Sequence, residues 1–199
     1  MKRKITSKLN QSGGFTLVEV LMAVLILAMA GGVVAGGMPA AVDAYVKVVD
    51  HANAQVLLST TMTRLRDELS TATEVEVDTD GQRIKYTDSW GNKLVIQNGV
   101  DIVDDTGKPI NYQGLFQYPD LDEDKVYFPL VSNGTAIDSL YTEIDFGKDE
   151  NDEYYVSFAS DIEEQNYGII TIKNLRVKKK NEVLASAEKF QIRVLAYVP

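Results

Sequence analysis

The sequence predicts an α+β fold, with one long N-terminal helix packed on an antiparallel β-sheet. Apolar residues recur at helical spacing as far as about residue 72, and from Glu74 onward the period shortens to two, the signature of strands. A run of 23 consecutive uncharged residues, Val20 to Val42, marks the first part of that helix as a membrane segment.

At about 1.5 Å per residue the uncharged run spans roughly 35 Å as a helix, enough for a bilayer. In front of it Lys2, Arg3, Lys4 and Lys8 give residues 1–14 a charge of +4 with no acid. This asymmetry orients the chain with its N-terminus on the cytoplasmic side and the remainder outside. Gly31, Gly32, Gly36, Gly37 and Pro39 suit a packed membrane helix better than a water-exposed one, and they predict a bend or loosening near its outer end. Ala28-Met29-Ala30 also fits the A-x-A site of a cleaved secretory signal. Neither a signal nor a plain anchor gains from Glu19, a carboxylate that costs roughly 2.5–3.5 kcal/mol at the centre of a membrane helix. A plain anchor tolerates it only through its closeness to the cytoplasmic edge.

The stretch Gly13-Gly14-Phe15-Thr16-Leu17-Val18-Glu19-Val20-Leu21 resembles the class III leader of type IV pilins and pseudopilins. These have a short basic leader, a Gly before the cut, an aromatic first mature residue and a Glu five residues into the mature chain. The resemblance covers about residues 1–42. It implies leader cleavage between Gly14 and Phe15 by a prepilin peptidase, N-methylation of Phe15, and an assembly role for Glu19 together with Phe15. The residue types make physical sense in those roles. A cut after Gly14 precedes the apolar run, so the membrane helix is kept whole. Gly14 leaves the backbone bare to a peptidase. Cleavage creates a positive amine beside hydrocarbon, and Glu19 of one subunit can neutralise the Phe15 amine of its neighbour, since a buried pair is cheaper than two isolated charges.

Past Pro39 the helix continues from about Asp43 to Ala72. Leu58, Met62, Leu65, Leu69 and Ala72 follow at spacings of 4, 3, 4 and 3, one face of an amphipathic helix that packs on a sheet, and Tyr45, Val48 and Ala52 extend a similar stripe toward the membrane. Val75, Val77 and Arg83 to Tyr86 flank the turn Asp78-Thr79-Asp80-Gly81 as a hairpin. Further strands are expected at Lys93–Gln97, Lys125–Val131, Leu140–Phe146, Tyr154–Ala159, Ile169–Val177 and Lys189–Val198, the last two closing as a hairpin around Lys178-Lys179-Lys180-Asn181 with Leu184 near its second arm. The expected organisation is a cleaved leader at 1–14, a transmembrane and assembly helix at 15–42, and a soluble acidic head at 43–199. This order of elements also resembles the pilin fold. Within that superfamily the helix end Met62 to Leu69 followed by many strands looks like J-type minor pseudopilins or related minor pilins. A typical Gram-negative major pilin closes a C-terminal loop with a disulfide, which a chain without Cys cannot do.

Composition narrows the chemistry. With no Cys there is no disulfide scaffold, catalytic thiol or Cys-containing zinc site, and the one His, His51, stands on the helix without evident partners. Residues 43–199 hold 16 basic and 28 acidic groups, and such a body repels nucleic acid, so general nucleic-acid binding is not expected. Asp105-Thr106-Gly107 copies an aspartic-protease triplet but reads as a polar turn with Lys108-Pro109, and Gly107-Lys108 lacks the upstream glycine of a phosphate loop. Asp120, Asp122 and Asp124 alternate as calcium ligands do, yet Lys125 and Val131 stand where an EF-hand needs Gly and Glu. Asp149-Glu150-Asn151-Asp152-Glu153 reads as a solvated hairpin loop, calcium being the alternative there as well. Lys178 to Lys180 reads as a charged tip protecting a sheet edge rather than a phosphate or acidic-lipid contact. Asn133-Gly134-Thr135 matches a glycosylation sequon.

The reading is thus of a non-enzymatic structural subunit without a cofactor. It is held in the cytoplasmic membrane with its head outside and then built into a type IV pilus or a secretion or competence pseudopilus. Its partners are other pilin-like subunits, the prepilin peptidase, the membrane assembly platform and the lipid bilayer. The alternative is a membrane-anchored or secreted binding module that carries a pilin-like N-terminus.

Overall fold

The computed structural model describes residues 14–80, 82–103, 109–120, 126–131, 140–160 and 168–196. Among the described residues, helix α1 (Leu17–Ser70) is followed by nine strands: β1 (Glu74–Asp78), β2 (Arg83–Thr87), β3 (Lys93–Val103), β4 (Pro109–Pro119), β5 (Phe128–Pro129), β6 (Leu140–Ile144), β7 (Val156–Ala159), β8 (Ile169–Lys179) and β9 (Glu182–Arg193). This is the expected α+β, pilin-like order of one long helix and then antiparallel strands. The chain divides into two compact units at Lys47/Val48, and each is considered by itself.

In the first unit the helical assignment is unbroken through the four glycines and Pro39, which removes one hydrogen bond from the ladder without ending it. The expected loosening is therefore not seen in the helical pattern. The most apolar 18-residue stretch of α1 has a mean hydropathy of 2.5 and none of it is buried, so α1 is long and apolar enough to cross a membrane.

The second unit has its own core. Ala54, Leu58, Leu65, Leu69 and Ala72 join residues of both sheets in one apolar cluster, among them Ile84, Ile96, Leu115, Ile144, Ile170, Ile172, Leu175 and Ile192. The face expected from Leu58, Met62, Leu65, Leu69 and Ala72 is the packed one, with Met62 partly buried at its margin. Its extension is corrected. Tyr45 and Val48 are 70% and 66% exposed and Ala52 is exposed too, while Ala54 and Thr61 are the buried residues that continue the stripe. At 100° per residue, Ala52 stands across the helix from Ala54 and Leu58, so helical spacing alone had joined two different faces.

The expected single sheet is two. The first runs in the order β1-β2-β3-β4-β5, a meander in which β1–β2 is the hairpin expected around residues 78–81. In the second, β8 pairs with β9 along one edge and with β7 and β6 end to end along the other. The handover falls at Asn174, whose φ of 61° lies in the left-handed region that Asn tolerates. Ile169–Ile172 pair with β7 before it and Leu175–Lys179 with β6 after it. Strand β9 begins at Glu182, earlier than the expected Lys189. Strand β4 was not expected at all, and among the described residues of the expected Lys125–Val131 strand Phe128–Pro129 form β5. The far face of the first sheet carries a smaller apolar layer, with Val95 and Tyr118 buried, the Tyr118 hydroxyl on Gln97 at 2.8 Å, and Tyr127 edge-on at 5.0 Å.

Polar side chains tie these parts together. Asn98, beside a bulge at Gly99, donates to the Ile144 carbonyl at 2.6 Å and accepts from the Ile144 N–H at 2.9 Å, bridging the sheets. The Tyr86 hydroxyl donates to Glu68 at 3.1 Å and accepts from Gln117, joining helix to sheet. Burial, followed by the Glu68 charge, pushes that hydroxyl's pKa up. In the β2–β3 turn the Asp88 carboxylate accepts the N–H groups of Trp90 and Asn92 and the Asn92 amide, each at 2.8 Å, and leaves Trp90 87% exposed.

Candidate functional site

Gly14, Phe15 and Thr16 precede the helix and have no regular structure. Helix α1 starts where it does because Thr16 and Glu19 cap each other. The Glu19 Oε2 accepts from the Thr16 N–H and from the Thr16 hydroxyl, both at 2.9 Å, and the Thr16 Oγ1 accepts from the Glu19 N–H at 3.3 Å. This is a capping box, in which two backbone donors at a helix start are satisfied reciprocally. The carboxylate also suits the positive end of the helix dipole. Thr-x-x-Glu ahead of an apolar run is the signal that could have found the cap.

Of the three expected site residues, Gly14 and Phe15 thus lie just ahead of α1 and Glu19 in its first turn. Phe15 is 83% exposed, and a Cβ built on Gly14 meets nothing within 4 Å. The fold itself would accept a side chain at 14, so a demand for glycine there has to come from something that approaches the chain. Ala28–Ala30, the competing signal site, lies inside α1 with its amides in the helical ladder.

Elsewhere, lysines answer the acidic loops. The Lys173 ammonium stands 3.1 Å from Asp149 and 2.9 Å from Glu153, and Lys148 stands 2.8 Å from Asp152. The Asp149 Oδ1 also accepts the N–H groups of Asn151 and Glu153 at 2.9 and 3.0 Å. The Lys173 hydrogen bond, then the backbone donors, hold Asp149 below the usual carboxylate range, while Glu153 first and Asp149 second raise Lys173. Among the described residues no group of three or more His, Cys, Asp or Glu side chains is placed to hold a metal ion. Lys178 and Lys179 are not spare charges at a tip. They pair with Glu143 and, on the helix, with Asp50, each at 2.7 Å. His51 is exposed on α1. Lys2, Arg3, Lys4, Lys8, Asp105-Thr106-Gly107-Lys108, Asp122, Asp124 and Asn133-Gly134-Thr135 lie outside the described residues.

Over residues 9–35 the chain matches the family model described as a prokaryotic N-terminal methylation motif. Comparisons with curated proteins and with solved structures give no match.

Proposed function

We propose, from a chain whose N-terminus carries the class III leader of type IV prepilin-like proteins, that it is a structural subunit of a pilus or pseudopilus, of the minor kind. The observation that carries the reading is the methylation motif at 9–35 set directly on an exposed, membrane-length helix with a carboxylate in its first turn. In this reading the basic leader holds residues 1–14 on the cytoplasmic side while α1 crosses the bilayer. A prepilin peptidase cuts between Gly14 and Phe15, a bond that lies outside the helix where a peptidase can engage extended backbone. The new Phe15 amine is methylated. An assembly platform then draws the helix among those of other pilin-like subunits, where Glu19 neutralises a neighbour's amine. The head performs no catalysis and needs no cofactor; its role is packing and contact.

Intact-mass analysis of the membrane-extracted protein tests this. The expected N-terminus is Phe15, carrying one methyl group, on a chain whose side chains sum to −13 after loss of the +4 leader. An N-terminus at Gly31 means that signal peptidase acted after Ala30, and the filament reading falls with it. Gly14 replaced by a bulky residue should leave the precursor uncut in the membrane. Glu19→Ala should be inserted and cut normally but lost from sheared filaments, since breaking one side of a buried ion pair costs about 3–5 kcal/mol.

A further inference from the structure

We propose that the Asn98-Gly99 step is a deamidation site held shut by the contact between the two sheets, so that a head keeps its Asn98 amide while the sheets stay together and loses it irreversibly once they part. The proposal stands apart from the filament reading and concerns the head alone. In an unfolded chain an asparagine followed by glycine is the pairing most prone to this reaction, because no side chain shields the glycine nitrogen and the backbone turns freely there. The fold requires both residues on separate grounds. Gly99 sits at the register shift between Asn98 and Val100 with a φ of 56°, and a Cβ there would stand 3.3 Å from the Tyr112 carbonyl oxygen, so conformation and space both favour glycine. Asn98, half-buried, has to donate and accept at once: its amide nitrogen donates to the Ile144 carbonyl at 2.6 Å and its oxygen accepts the Ile144 N–H at 2.9 Å. In the reaction the Gly99 nitrogen, its proton taken by hydroxide, attacks the Asn98 Cγ. The new N–Cγ bond closes a five-membered succinimide, the Cγ–Nδ2 bond breaks, and ammonia leaves with a proton from water. Water then adds to either imide carbonyl and opens the ring to aspartate or isoaspartate at position 98. Attack requires Cγ to swing onto the nitrogen of the next residue. Ile144 holds both ends of that amide, so Cγ cannot turn without breaking two hydrogen bonds that cross from sheet to sheet, and the Gln97 side chain holds the Gly99 carbonyl at 3.0 Å. After hydrolysis the position can no longer donate to the Ile144 carbonyl, and the iso form adds a methylene to the backbone of β3 at its bulge. A head that has stood open therefore closes less firmly than before.

The test ages the full-length chain in detergent micelles at mildly alkaline pH, with and without urea enough to unfold the head, and follows Asn98 by peptide mapping and mass spectrometry. Asn133-Gly134, the chain's other Asn-Gly step, gauges the chemistry in urea. There both steps should deamidate at similar rates and yield isoaspartate as well as aspartate. Without urea Asn98 should react at least about tenfold more slowly than with it, equivalent to an opening cost of about 1.4 kcal/mol or more. Equal rates in the two conditions overturn the gate, and an Asn98 that stays intact in urea overturns the site. Gly99→Ala, compared in urea where its folding does not matter, should slow Asn98 and leave Asn133 unchanged; an unaffected Asn98 overturns the Gly99 nitrogen as the attacking atom. Chain aged in urea and returned to buffer is then separated by charge. The fraction that mapping assigns to position 98 should unfold at lower urea than the fraction that kept its amides, and coincident midpoints overturn the claim that the head closes less firmly.

Discussion

Asn98 gives its amide to the Ile144 carbonyl and takes the Ile144 N–H, so one side chain stands in for a strand residue between two sheets. Asn98→Ala should lower head stability by about 1–3 kcal/mol, because it leaves both backbone groups of Ile144 without this partner. Asn98→Asp should cost more, since a carboxylate cannot donate and would face the Ile144 carbonyl. The midpoint of urea unfolding measures both, and equal midpoints for wild type and Asn98→Ala would deny the bridge its role. The N-terminal motif that contains Gly14, Phe15 and Glu19 was legible in the sequence because its pattern is local and depends on no tertiary contact. Asn98 with Ile144, Lys173 with Asp149, and Tyr86 with Glu68 were not, since each pair meets only after elements separated along the chain have packed together.

Helix α1 shows what periodicity can and cannot carry. Leu65→Ala empties a fully buried position and should cost about 2–5 kcal/mol. Val56→Ala, at a position 66% exposed on another face, should stay within about 0.5 kcal/mol in the isolated head. Thermal unfolding of the two variants side by side checks the assignment of faces, and comparable losses would contradict it. The stripe from Leu58 to Ala72 was readable because it holds one angle on the helix. Tyr45, Val48 and Ala52 obey the same spacing at another angle, and only the packed structure tells the two apart. Strand β4 escaped notice because Pro109 and Pro119 bracket it and Gly114 interrupts its alternation, all three being residues that ordinarily argue against a strand. The end-to-end meeting of β7 and β6 on β8 left no local mark except Asn174.

At the scale of the molecule, the apolar core lies wholly within the unit that begins at Val48. Residues 43–199 alone should therefore be soluble and unfold cooperatively; aggregation without a transition would contradict this. Their stability should depend on acid through Asp149 and Asp88. Lys173 holds the first below its ordinary pKa of 3.8, and the Asn92 amide, ahead of the turn's backbone donors, does so for the second. A carboxylate depressed on folding adds stability that is full above its unfolded pKa and is lost as pH falls through the folded one. The melting temperature should thus hold above about pH 5 and decline below 4. Asp149→Asn should flatten part of that decline, and an unchanged profile would show that the loop's ion pairs do not bear on stability. The exposed Trp90 on its hydrogen-bonded turn has a practical consequence, since it is the chain's one tryptophan. Its fluorescence in the folded head should already be that of an indole in water, so emission will hardly follow unfolding and circular dichroism is the better measure. For the same reason, a blue shift on mixing the head with another subunit would report cover at that one corner while the core stays as it was.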